Sequence, residues 1–126
     1  MKTKDIKVDD KTVTIWRMNF GFKTDYQGDT TKTVWIDKKD PNTGRVRKIR
    51  DVIVDNGKLI LYTLLYGIYK SDDFGILPPT DLELGFTPEE KDKRLRIIRG
   101  LNINTDLIYE EINNINGEVE EELLKK

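Results

Sequence analysis

The chain has 126 residues, 37% of them hydrophobic and 36% charged, with a formal net charge of −1; that suits one domain with a core of its own under a heavily charged surface. Cys, His and Ala are absent and Ser71 is the only serine, which removes disulfides, zinc–thiolate sites and the Ser–His and Cys–His nucleophile pairs. The charge is uneven: residues 1–50 carry 13 basic and 7 acidic side chains, net +6, and residues 51–126 carry 9 and 16, net −7.

The N-terminus, MKTKDIKVDD, has no apolar stretch, so no secretory signal is expected and the chain reads as cytoplasmic. The first expected strand is TVTIWRMNFGF, residues 12–22. Trp16, Met18, Phe20 and Phe22 alternate there with Val13, Ile15 and Arg17. A polar connection holding Tyr26 leads to a second strand, TVWID at 33–37. The segment DPNTG, 40–44, then offers Pro41 for the first position of a turn and Gly44 for a positive φ at its last. A third strand at 45–54 runs into Asn56-Gly57, a hairpin signal, which predicts a fourth strand from 58 to about 66. The run LILYTLLYGIY, 59–69, is too short to cross a bilayer and contains Thr63 and three tyrosines.

Residues 70–86 read as a loop long enough to carry function. Thr87, Pro88 and Glu90 form the start of a helix, with Gly100 at its end. Its basic run KDKRLRIIR is balanced by Glu89, Glu90 and Asp92, each four residues before a cation, and reads as structural. A second helix from about Asn104 or Thr105 carries Ile108, Ile112, Ile115 and Val119 as an apolar seam. Gly117 is expected to end or loosen it, leaving 118–126 as an acidic tail. The expected fold is a single α+β domain, 1–126: an antiparallel sheet of about four strands in two consecutive hairpins over 12–69, then a helix pair over 87–117.

With the turn at 41–44, Asp40 faces Arg45, Asp37 pairs with Lys48, Trp35 with Arg50, and Ile36 with Ile49. Strand alternation therefore divides the run TGRVRKIRD: Lys48 and Arg50 share a face with Trp35, beside Thr33 and Thr63, while Arg45 and Arg47 lie toward the tip. This pattern suits a sequence-tolerant platform for single-stranded nucleic acid. Bases would stack on Trp35 and on some of Trp16, Phe20, Phe22 and Tyr26, with the cations on phosphates. Otherwise the aromatics fill the core and the cations pair with Asp37 and Asp51.

The alternative is a protein-interaction module working through the 71–86 loop or the isoleucine seam. It could be a homodimer or a binder of a host protein, since the Lys-, Ile- and Asn-rich composition without Ala suits an AT-rich virus or mobile element. A metal-dependent nuclease stands third, using Asp51 with Asp55, or Asp72, Asp73, Asp81 and Glu83. No acid-x-lysine pattern supports it, so neither a catalytic residue, a metal ligand nor a cofactor is expected.

Overall fold

The computed structural model describes the backbone of residues 1–124 and the side chains of residues 1–117. Chain order is β1 (Thr3–Val8), β2 (Lys11–Trp16), α1 (Phe20–Thr30), β3 (Thr31–Lys39), β4 (Val46–Val54), α2 (Asn56–Gly67), β5 (Ile68–Lys70), α3 (Pro88–Arg99) and α4 (Thr105–Leu124). The fold is α+β with antiparallel sheets and C-terminal helices, as the sequence implies. Its strands form two separate sheets, β1-β2-β5 and β3-β4.

β1 and β2 are joined by Asp9 and Asp10, both at positive φ. That is the requirement of a tight hairpin turn whose twist matches its strands, and aspartate tolerates it better than most residues. The hairpin places Ile6, Val8, Val13 and Ile15 on the core side. β2 ends at Trp16, so the expected strand over 12–22 stops early. Asn19 caps α1 instead, its Oδ1 accepting the Phe22 N–H at 2.9 Å.

The second hairpin is also replaced. Asp55, rather than leading into a hairpin turn, caps α2 by accepting the Gly57 N–H at 3.1 Å. Asn56 and Gly57 occupy the first helical turn, not a hairpin turn. Leu61, Leu64, Leu65 and Ile68 recur at helical spacing and turn toward the core. Packing of α2 on α4 is close: a Cβ on Gly67 would overlap the Ile112 side chain, 2.9 Å from its Cγ1 and nearer to two other carbons.

The core draws on β1, β2, α1, α2, β5, α3 and α4. Trp16 lies at its centre, edge-on to Phe22 at 5.1 Å and donating its indole N–H to the Tyr66 carbonyl at 2.8 Å. α3 starts with the expected capping box of Thr87 and Glu90. α4 seals the far side, and its Asn116 bonds both the Trp16 carbonyl, at 3.2 Å, and the Met18 N–H, at 2.9 Å. The helix continues through Gly117 to Leu124. The side chain of Val119 and those of the acidic tail lie outside the described residues.

Candidate nucleic-acid interface

β3 and β4 form a two-stranded arm that contributes no residue to the core cluster. The register is the expected one: Trp35 faces Arg50, Ile36 faces Ile49 and Asp37 faces Lys48. At the tip the Asp40 N–H donates to the Arg45 carbonyl at 2.8 Å, and Gly44 takes φ 71°. The Asp40 carboxylate accepts the Asn42 N–H at 2.8 Å, which holds its pKa below the ordinary value. The arm, residues 31–54, carries seven basic and three acidic side chains, net +4, so the rest of the chain is net −5.

Directly opposed residues of an antiparallel pair share a face. One face therefore holds Thr33, Trp35, Asp37, Lys39 and, across from them, Val52, Arg50, Lys48 and Val46. Trp35 is 66% exposed. Among the described residues Arg45, Arg47, Lys48 and Arg50 make no ion pair, although Asp37 and Asp51 are close in the ladder. Lys38, Lys39, Arg45 and Arg47 line an open hollow of about 570 Å³ at the tip. The arm thus offers one exposed aromatic and a row of uncompensated cations, which together can hold a planar base and its phosphates.

The remaining expected platform residues are elsewhere. Trp16 (1% exposed) and Phe22 are core residues and present no face to a base. Tyr26 is half-buried on α1, with its hydroxyl bonded to Thr63 at 2.8 Å. Phe20 is 87% exposed, but at the start of α1 rather than on the arm. Thr63 is buried in α2, not beside Trp35. Two departures from strand geometry account for this. The chain enters α1 after Trp16, so Phe20 and Phe22 follow helical spacing and only Phe22 turns inward. It enters α2 at Asn56, which carries Thr63 into the core.

Ile108, Ile112 and Ile115 are buried in the chain's own core, so that part of the seam presents no surface to a second molecule. The acids weighed for a metal are dispersed. Asp51 lies on the arm, Asp55 caps α2, Asp73 accepts the Thr12 N–H at 2.7 Å, and Asp81 accepts the N–H groups of Glu83 and Leu84 at 2.9 Å. Among the described residues, no group of three acidic side chains converges, and no helix is long and apolar enough to cross a membrane.

Two buried or half-buried polar arrangements were not evident from the sequence. Arg94, 4% exposed, donates to the carbonyls of Leu65 (3.0 Å), Ile68 (2.5 Å), Tyr69 (2.7 Å) and Leu77 (2.5 Å), with its guanidinium 4.5 Å from the Phe86 ring centroid. Burial lowers its pKa to about 10, so it stays charged at neutral pH and binds the carbonyl-rich end of α2 to the following loop. Its sequence partner Glu90 instead bonds Thr80 and Thr87. Asp29 accepts from the Tyr66 hydroxyl and from Lys91, the latter at 2.5 Å. Lys91 also lies 5.6 Å over the Tyr62 ring. Burial, then the Asp29 carboxylate, raises the Tyr66 pKa and keeps the phenol a donor. The cluster ties α1, α2 and α3 together. Its members lie far apart in the chain, so no local pattern announces it.

No protein-family model matches this chain, and neither the curated proteins nor the solved structures include a significant match.

Proposed function

We propose that the protein binds nucleic acid through the β3–β4 arm, with little sequence discrimination and a preference for single strands. The supporting observation is the exposed Trp35 opposite Arg50, on an arm whose cations make no ion pair among the described residues. An exposed indole on a flat ribbon needs an unstacked base to cover it, and a single strand supplies one without the cost of opening a duplex. Lys48 and Arg50 then lie beside the stacked base, and Arg45 and Arg47 extend the phosphate track to the tip. Stacking on an indole and ionic contact with phosphates accept any base, hence the weak discrimination.

Fluorescence anisotropy with labelled single-stranded and duplex oligonucleotides at low salt tests this reading. Single-strand affinity is expected to fall with salt at about 0.7 log units per log unit of salt for each phosphate contacted. Trp35→Ala removes about 1–3 kcal/mol of stacking, and Arg50→Glu weakens binding further by replacing attraction with repulsion. Absence of binding at micromolar protein, or affinity untouched by Arg50→Glu, refutes the proposal. Tighter binding to duplex would place the arm in a groove instead.

A further inference from the structure

The face of the arm opposite Trp35 holds Lys32, Val34, Ile36 and Lys38 on β3, with Ile53, Asp51, Ile49 and Arg47 across from them on β4. Ile36 and Ile49 are directly opposed at its middle, with Val34 one step toward the base. None of these aliphatics packs against the core cluster, and Ile36 and Ile53 are exposed. A two-stranded ribbon with an uncovered aliphatic face is marginal in water and is stabilised when a further layer packs on it.

We infer that this face pairs with the same face of a second copy of the chain. Consider two arms stacked face to face and antiparallel, with the two-fold axis crossing the ribbon at the Ile36–Ile49 pair. The lateral order of the strands is then preserved, so β3 lies over β3 and β4 over β4. Ile36 meets Ile36 and Ile49 meets Ile49. One step outward, Asp51 meets Arg47 of the other copy, and Val34 meets the aliphatic stem of Lys38. A further step brings Lys32 over Asp40 and Ile53 over the stem of Arg45. Acid meets base on both strands at both ends, although each arm taken alone is net positive. Among the described residues neither Asp51 nor Arg47 has an ion-pair partner within its own chain. The sheet-on-sheet spacing of ~10 Å leaves room for these side chains to interdigitate.

Size sets the strength of the pairing. Strands of nine residues at ~3.3 Å per residue give a face roughly 30 Å long, and two strands make it about 10 Å wide. Two such faces bury about 600 Å², half of the ~1,200 Å² at the lower bound of stable interfaces. The dimer is therefore concentration-dependent rather than obligate. Pairing leaves Trp35, Lys48 and Arg50 on the outward face of each arm and draws only Arg45 and Arg47 of the proposed phosphate track into the dimer. A strand can therefore still stack on Trp35, while its contacts at the tip compete with pairing.

Sedimentation equilibrium of the full chain, loaded from about 10 µM to about 1 mM, tests the inference. The wild type is expected to shift from monomer to dimer across that range, and Ile49→Asp to stay monomeric, with unchanged circular dichroism and Trp16 emission. Asp51→Arg weakens the dimer at least about tenfold, since it places like charges together. Adding Arg47→Asp to it restores association, because the pair is then reversed across the interface. A monomer at the highest concentration overturns the inference, as does a dimer indifferent to Ile49→Asp or a double variant as weak as Asp51→Arg. Anisotropy on the same samples separates this outcome from the fate of the nucleic-acid reading, since a monomer that still binds oligonucleotide overturns only the dimer.

Discussion

β2 and β4 are built from similar residues and end in opposite surroundings. β2 reads KTVTIW, and its Val13, Ile15 and Trp16 are fully buried. β4 reads VRKIRDVIV, yet Val46, Val52, Ile53 and Val54 are all exposed. Strand propensity is satisfied in both cases. The difference is in the neighbours: β2 has β1 and β5 on its two edges and α1, α2 and α4 over its face, whereas β4 has only β3. In these two segments the β-branched residues therefore report strand geometry but not burial. The two tryptophans make the same point, one at the centre of the core and one on the arm. The two environments also separate two kinds of arginine. Arg94 is held by four carbonyls inside, and Arg50 outside makes no ion pair among the described residues.

That contrast can be broken most severely at the arginines. Arg94→Ala leaves four carbonyls near the end of α2 without their donor, and each buried orphan costs about 1–3 kcal/mol before local relaxation. A loss of at least about 3 kcal/mol in urea denaturation is expected. Arg50→Ala should stay within about 0.5 kcal/mol of wild type, because it removes only solvated surface. Equal effects at the two positions would mean that the arm is integral to the folded core. Next in size is Gly67→Ala, which forces a methyl into Ile112 and costs about 1–3 kcal/mol. Combining it with Ile112→Ala should cost less than the sum of the two single changes, because that change removes all three carbons the methyl would meet.

A smaller effect is expected at the start of α3. Partial burial opposes the charged form of Glu90, but hydrogen bonds from the Thr87 and Thr80 N–H groups outweigh it and hold its pKa below the usual carboxylate value. A carboxyl with a depressed folded-state pKa stabilises the fold fully above its unfolded pKa and loses that contribution as pH falls through the folded value. The stability gap between wild type and Glu90→Gln should therefore be widest near neutrality and close in acid. Thr87→Ala, which removes the other half of the capping box, is expected to cost about 1 kcal/mol. A gap that widens in acid would contradict the assigned hydrogen bonds.

The arm was legible in the sequence almost residue by residue, because Pro41 and Gly44 fix the turn and the turn fixes the pairing. Trp35 faces Arg50 as the count from that turn requires. The parts that were not legible share a cause. Asn19 and Asp55 are helix caps that look like turn residues, and a cap is recognised only from the apolar spacing that follows it. Trp16, Met18, Phe20 and Phe22 alternate across a strand–helix boundary, so a period of two ran on where the backbone had changed to 3.6. Asn56-Gly57 between apolar runs carries the hairpin signal whether or not a capping Asp55 precedes it. β1 went unread because Asp9-Asp10 is a less familiar positive-φ pair than Asn-Gly. For the candidate site, the charged face of the arm followed from alternation alone. The burial of Trp16 and Phe22 depends on α2 and α4 arriving from distant parts of the chain, which no local pattern contains.

The smallest expected effect is the sharpest test of the division between arm and core. Thr31 and Val54 are cross-strand partners at the base of the arm, and just beyond them the Asp55 N–H donates to the Thr30 carbonyl at 2.7 Å. Replacing residues 32–53 with two glycines therefore spans a gap the chain already closes. The deletion removes Trp35 and every arm cation but no member of the core cluster. Cooperative unfolding should persist, with stability within about 0.5 kcal/mol of wild type, since an isolated two-stranded ribbon adds little that the core depends on. Emission should narrow to that of the buried Trp16 and become resistant to acrylamide. Oligonucleotide binding and self-association should vanish together, because both proposed surfaces belong to the deleted segment. A shortened protein that unfolds without cooperativity would instead assign the arm a structural role in the core, and the exposed faces of β3 and β4 would then need a different explanation.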